Sequence, residues 1–217
     1  MGDGPTAHSG EPTGRPLRPP VIGLTGGIGA GKSAVAKMLS DLGCYVVHSD
    51  RLAHEALRDP AIRETLLDWW GREIIDADGE LDRSAIGAIV FDAPGERRRL
   101  EGLVHPWIER RRKAMFATAP SDAKALVIDA PLLLEAGLER ECAAVIFVDA
   151  GYETRLRRVR AERGWSSEDL ARRDRAQMPL DEKRSRADHT VVNEGDLQSL
   201  QRTVRQTLDD ILDTLRR

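Results

Sequence analysis

The chain is poor in cysteine and in aromatic residues, and it has no long apolar run. Its 217 residues include two cysteines, Cys44 and Cys142, nearly a hundred positions apart and with no Cys or His neighbours at metal-ligand spacing. They suggest neither a disulfide framework nor a zinc site, and a reducing, cytoplasmic setting is expected. No apolar stretch approaches the roughly 20 residues that cross a bilayer, so no membrane is expected as a partner. Aromatics make up 4% of the residues, too few for the stacking platforms on which single-stranded nucleic acids lie, so no nucleic acid is expected either. HExxH, CxxC pairs and the nucleophile elbow are all missing. The first twenty residues lack the apolar segment of a secretory signal. They carry Pro5, Pro12, Pro16, Pro19, Pro20 and four glycines, and residues 1–19 are expected to be a disordered extension outside the fold.

What remains has the composition of one soluble globular domain: 41% hydrophobic, 32% charged, with a net charge of −3. The charge is uneven, since Arg97 to Lys113 holds seven basic residues against Glu101 and Glu109. Such runs ordinarily coat solvated helix faces.

Apolar runs at Val21–Thr25, Cys44–Val47, Ala125–Ile128, Ala144–Val148 and Thr190–Val192 predict five strands covered on both faces, hence a parallel sheet flanked by helices. After the first strand, Val35, Met38, Leu39 and Leu42 recur at helical spacing with Gly43 beyond them. Residues 51–120 read mainly as a helical insertion, with Trp69, Trp70 and Trp107 in its core and Pro106 at a first helical turn after His105. From Tyr152 the sequence is helical and arginine-rich. It breaks at Gly164, after which Ser166 and Asp169 have capping-box spacing. Leu197, Leu200, Val204, Leu208, Ile211 and Leu215 define a last amphipathic helix capped by Asp196.

The strongest chemical signal is Gly26-Gly27-Ile28-Gly29-Ala30-Gly31-Lys32-Ser33, a full G-x-x-x-x-G-K-[ST] match between a strand and a helix. Glycines let the backbone wrap around phosphates with its N–H groups inward, at a helix N-terminus that favours negative charge. Lys32 is placed for the β and γ phosphates of a nucleoside triphosphate, and the Ser33 hydroxyl for Mg²⁺. Asp50 follows the second strand, where it is either a base for an attacking hydroxyl or the N-cap of a helix starting at Arg51. Asp129 ends the third strand, as a Walker B acid holding metal through water or as a turn residue. Most of the arginines between Arg155 and Arg175 read as solvent-facing, with Arg158 and Arg173 as candidates to close over a transferring phosphoryl group. On sequence alone His105 reads as structural rather than as a ligand.

Taken in order, these residues resemble the dephospho-CoA kinase family over nearly everything from Val21 to the last helix. The carriers are Leu24-Thr25-Gly26-Gly27-Ile28-Gly29, the Asp50 segment, His105-Pro106, Asp129 to Glu135, Ala176-Gln177-Met178-Pro179, Lys183, Ala187-Asp188 and Asn193. The resemblance implies an α/β P-loop kinase fold over residues 20–217, with a helical substrate-binding insertion at about 51–120 and an arginine-rich lid at about 152–180. It implies Mg²⁺-dependent transfer of the ATP γ-phosphoryl group to the ribose 3′-hydroxyl of dephospho-CoA, the last step of CoA synthesis. In that reading ATP lies against Gly27, Gly29, Ala30, Gly31, Lys32, Ser33, Ala34, Arg158 and Arg173. Asp50 is the base, His105 meets the acceptor, Lys32 and Arg158 assist the transfer, and Ser33 and Asp129 serve the metal. The chain departs from the family pattern at His48-Ser49-Asp50, where Asp-Ala-Asp is usual. It also departs at Ala34 for Thr, at Arg155 for Gln, and at Glu162-Arg163 for Arg-Asp. Another small-molecule P-loop kinase, acting on a nucleoside or nucleotide, and a nucleotide-dependent switch are the alternatives. Against a GTPase, Asn193-Glu194-Gly195-Asp196 lacks the lysine of the guanine-reading motif.

Overall fold

Five strands, β1 (Val21–Gly26), β2 (Tyr45–His48), β3 (Leu126–Asp129), β4 (Ala144–Asp149) and β5 (His189–Val192), form one sheet in the order β2-β3-β1-β4-β5. Every pairing is parallel. The computed structural model describes residues 19–217, so the extension expected over residues 1–19 lies outside the described residues apart from Pro19. The central strands read as continuous apolar runs because both of their faces are covered: Ile22, Leu24, Val127, Ile128, Ile146 and Phe147 are all buried. At β5 the expectation of two covered faces fails. Val191 is buried, but Thr190 and Val192 face solvent, because this is an edge strand with a helix on one side of it.

That helix is α9 (Leu197–Arg216 in chain order the last), which shares one core with α1 (Lys32–Asp41). Val35 and Leu39 of α1 and Leu200, Val204, Leu208 and Ile211 of α9 close over Ile22, Leu24 and Ile146. Each such side chain contributes about 1.5–3 kcal/mol on burial. Asp196 caps α9 as its position predicts, accepting from the Ser199 N–H at 2.8 Å.

Between β2 and β3 run α2 (Ser49–Ala56), α3 (Pro60–Trp70), α4 (Arg83–Asp92) and α5 (Pro94–Ala117). They carry a core of their own around Ile62, Leu66, Ile74, Leu81, Ile86 and Val104. The three tryptophans sit at its margin, not inside it. An indole must satisfy its N–H, and here Trp70 donates to Glu96 and Trp107 to Asp59, each at 2.8 Å, which keeps one end of each ring near water. Pro106 is also not where the sequence suggested. It lies inside α5, and the first-turn proline is Pro94. The Gly102 carbonyl loses its helical partner at Pro106, but both residues are exposed, so water can serve the orphan oxygen and the helix continues.

After β4 come α6 (Tyr152–Arg163), α7 (Ser167–Asp174) and α8 (Leu180–Ser185). Gly164 ends α6 in the left-handed region at φ 67°, and Ser166 and Asp169 form both bonds of the capping box that starts α7. No helix among the described residues is long and apolar enough to cross a membrane.

Candidate active site

The loop from Gly27 to Gly31 joins the end of β1 to the start of α1, with Gly29 at φ 75° and Gly31 at φ 88°. At Gly31 glycine is needed twice over. The left-handed backbone disfavours a side chain, and a Cβ there would lie 2.1 Å from the Asn193 Nδ2. That amide donates to the Ala30 carbonyl at 2.8 Å. Arg158 donates to the same carbonyl at 3.2 Å, to Gly29 at 3.4 Å and to the Asn193 carbonyl at 3.0 Å. Arg155 reaches the Ile28 carbonyl at 3.1 Å and the Asp174 carboxylate at 2.9 Å. Three successive loop carbonyls are thus drawn to donors on one side, which leaves the amide side of the loop to an anion.

The parallel register sets His48 beside Asp129 and Asp129 beside Leu24. The carboxyl ends of β2, β3 and β1 therefore converge, as ligand sites of open α/β sheets do. Asp129 is buried at 5% exposure and engaged on both oxygens. Its Oδ1 is paired with the Lys32 ammonium, and its Oδ2 lies 2.7 Å from the His48 Nδ1. Asp50 is neither the last residue of a strand nor an N-cap. The helix begins two residues earlier than expected, with His48 at the N-cap position, so Asp50 sits exposed in the first turn of α2, where the helix dipole favours a carboxylate.

A cavity of about 360 Å³ opens beside it, lined by Ser49, Asp50, His105, Arg112, Pro131 and Glu141 among others. Asp50 and His105 are thus brought together. Arg173 is not part of this group, since its exposed guanidinium lies over the Trp165 ring at 4.1 Å. Ser33, exposed, and Ala34, partly buried, occupy the first turn of α1. Among the described residues no cluster of three or more His, Cys, Asp or Glu is arranged to hold a metal. The oxygen donors present, Ser33 Oγ and Asp129, fit a hard cation such as Mg²⁺ that keeps several waters and is shared with bound phosphates.

Neither thiol offers a nucleophile here. Burial pushes Cys44 up to about 11 and Cys142 up to about 12, so both stay protonated near neutrality. At the start of α6, Glu194 accepts from the Thr154 hydroxyl at 2.7 Å and from the Gly151 N–H, and these bonds hold its carboxyl below the usual range.

Sequence reasoning missed two buried arginines. Arg155 was grouped with the solvent-facing arginines of its segment but is 4% exposed, and Arg112, from the basic run on α5, is 1% exposed. It also gave no role to Lys183, which is fully buried and ties α8 to the segment after Asp129 through the Pro131 carbonyl at 2.9 Å and Glu135 at 2.8 Å. A charged residue on a helix carries no local signal of burial, because its partner lies on another element.

Residues 20–199 match the dephospho-CoA kinase family. The dephospho-CoA kinase of Geobacter metallireducens is 42% identical over 187 residues, covering 85% of this chain and 92% of the relative. That of Synechococcus sp. is 41% identical over 184 residues, covering 84% and 88%. A Thermus thermophilus protein of solved structure superposes with a TM-score of 0.80 at 36% identity, covering 89% of this chain and 98% of that one. The dephospho-CoA kinase of Campylobacter jejuni shares the fold at a TM-score of 0.60 and 22% identity, covering 90% and 98%. With its five-stranded parallel sheet, its phosphate-binding loop and these relatives, the chain belongs to the dephospho-CoA kinase family and has the P-loop kinase fold.

Proposed function

We propose that the chain transfers the γ-phosphoryl group of ATP to the ribose 3′-hydroxyl of dephospho-CoA, giving CoA and ADP, with Asp50 as the general base. The observation that carries this assignment of roles is the shared cavity of Asp50 and His105, whose lining includes Ala130 and Pro131, the residues that follow Asp129 in the chain. An acceptor hydroxyl held there faces the Asp50 carboxylate.

ATP lies with its phosphates against the backbone of Gly27, Gly29, Ala30, Gly31, Lys32, Ser33 and Ala34. The triphosphate draws the Lys32 ammonium away from Asp129, so that its charge follows the β and γ phosphates and Asp129 Oδ1 becomes free to accept from a water. Ser33 Oγ, with Asp129 through water, would hold Mg²⁺, which supplies charge neutralisation at the phosphates. Asp50 accepts the proton of the 3′-hydroxyl as that oxygen attacks in line with the departing ADP oxygen. Arg158, held in this structure on the carbonyl side of the loop, turns with Arg173 toward the transferring group when the lid of α6 to α8 closes, where both bring positive charge. His105 orients the acceptor. The helical segment at about 51–120 is the acceptor-binding unit, and the reaction takes place in the cytoplasm.

The test is an ADP-release assay with dephospho-CoA beside a panel of nucleosides and nucleotides. Stoichiometric CoA and ADP from dephospho-CoA alone is the expected result. A nucleoside preferred as acceptor, or triphosphate hydrolysis with no acceptor phosphorylated, would overturn it.

A further inference from the structure

Two polar groups in the acceptor cavity are buried without partners: the Ser49 hydroxyl and the Nε–H of Arg112. Native proteins rarely leave such groups unpaired, and both residues line the same cavity as Asp50, where a small turn of either side chain brings the group to a ligand. Arg112 is 1% exposed, and its Nη2 donates to Glu141 at 2.7 Å. The Glu141 side chain is 41% exposed and keeps further acceptor capacity. His105, Ile108, Glu109 and Arg112 fall on one face of α5, so Arg112 lies roughly 10 Å, two helical turns, beyond His105. Between the polar groups the walls are apolar, made by Ala53, Ile108, Leu132 and Leu138.

Charge decides which part of the acceptor enters. The cavity holds three carboxylates, Asp50, Glu109 and Glu141, against the one guanidinium of Arg112. A diphosphate would meet net repulsion there. A flat, neutral heterocycle meets apolar walls with a donor and an acceptor side by side. Adenine offers the complementary pair, a ring nitrogen that accepts and an amino group that donates. At about 360 Å³ the cavity is near the small end of ligand sites, suited to the nucleoside end of the acceptor and leaving the diphosphate and pantetheine arm outside.

We propose that Arg112 and Glu141 are specificity-determining residues that read the adenine of the acceptor, Arg112 donating to a ring nitrogen and Glu141 accepting from the amino group. The Ser49 hydroxyl then bonds the ribose, whose 3′-hydroxyl faces Asp50. This rests on the reading of the Asp50 cavity as the acceptor site.

The experiment compares dephospho-CoA with its hypoxanthine analogue, in which oxygen replaces the amino group, at saturating ATP. The wild-type chain should prefer adenine by at least about tenfold in kcat/KM, because the analogue leaves Glu141 facing an oxygen. Glu141→Gln, whose amide can accept or donate, should reduce that preference to about threefold or less with KM for ATP unchanged. Arg112→Lys should raise KM for dephospho-CoA about tenfold, again without moving KM for ATP. Glu141 is partly exposed, so its variant remains informative if the Arg112 variant does not fold. Equal use of both acceptors by the wild-type chain, or undiminished preference in Glu141→Gln, overturns the adenine assignment while leaving the kinase reading intact. No CoA from dephospho-CoA overturns both.

Discussion

His48 and Asp129 end adjacent parallel strands in register, and the imidazole Nδ1 lies 2.7 Å from the carboxylate Oδ2. A histidine thus stands beside the buried strand-end acid. The ring supplies Asp129 with a hydrogen-bond partner on the side away from Lys32, which orients the carboxylate. Replacing His48 with Ala should lower the unfolding free energy by about 1–2 kcal/mol, because one oxygen of a buried carboxylate loses its partner. His48→Asn, which keeps a donor at nearly the same place, should lose less. Denaturant unfolding of the two variants checks this, and equal losses would show that the bond to Asp129 is not what His48 contributes.

Asp50 is exposed at the start of α2, so its replacement should separate chemistry from folding. Asp50→Asn is expected to bind ATP normally and melt within a few degrees of the wild type, losing about 0.3–1 kcal/mol of helix-terminus charge interaction, while turning over about a hundredfold more slowly or worse. Near-normal turnover would remove Asp50 from the role of base.

Glycine is required to different degrees at Gly31 and Gly71. Both have positive φ, but a Cβ on Gly31 would strike Asn193 whereas one on Gly71 would meet nothing within 4 Å. Gly71→Ala should cost only the backbone term of about 1–3 kcal/mol and leave nucleotide affinity alone. Gly31→Ala should destabilise further and weaken ATP binding by tenfold or more, as thermal unfolding and nucleotide titration would reveal.

Arg155 and Asp174 form an ion pair that is 5% and 23% exposed at the side chains, and Arg155 also holds the Ile28 carbonyl. Removing Asp174 strands a buried guanidinium behind the phosphate-binding loop. A double-mutant cycle of Arg155→Gln and Asp174→Asn should give a coupling energy of about 0.5–3 kcal/mol. Additive losses would mean that the two side chains act independently.

Six carboxylates among the described residues are held below their ordinary values by hydrogen bonds: Asp59 by the Trp107 indole, Glu109 by the Lys113 ammonium, Glu168 by its own backbone N–H, Asp169 by the Ser166 backbone, Glu194 by the Thr154 hydroxyl and Asp196 by the Ser199 backbone. A lowered folded-state value means that the unfolded chain binds the proton more readily. The stabilisation is therefore complete above the unfolded value of about 4 and is lost as pH falls through the lower folded one. The melting temperature should decline slightly as pH falls through about 6.5, because burial depresses His54 in the folded chain, and drop further below about pH 4. Thr154→Val should make the acid end of that profile shallower, and an unchanged profile would exclude Glu194 as a contributor.

What was legible in the sequence is what local physics dictates. Apolar runs marked β1, β3 and β4 because both faces of a central strand are covered. Glycine spacing marked the phosphate loop, and Ser166 with Asp169 marked the start of α7 through bonds only three residues apart. Pro106 misled because proline fits a first helical turn best, yet an exposed helix interior also accommodates it. The burial of Arg112 and Arg155 was decided by tertiary structure alone, since neither can leave water without a carboxylate from another element, Glu141 for one and Asp174 for the other. The same holds for Asp129. The sequence placed it at a strand end, but only parallel register, which sets residues 81 positions apart side by side, gave it His48 as a neighbour.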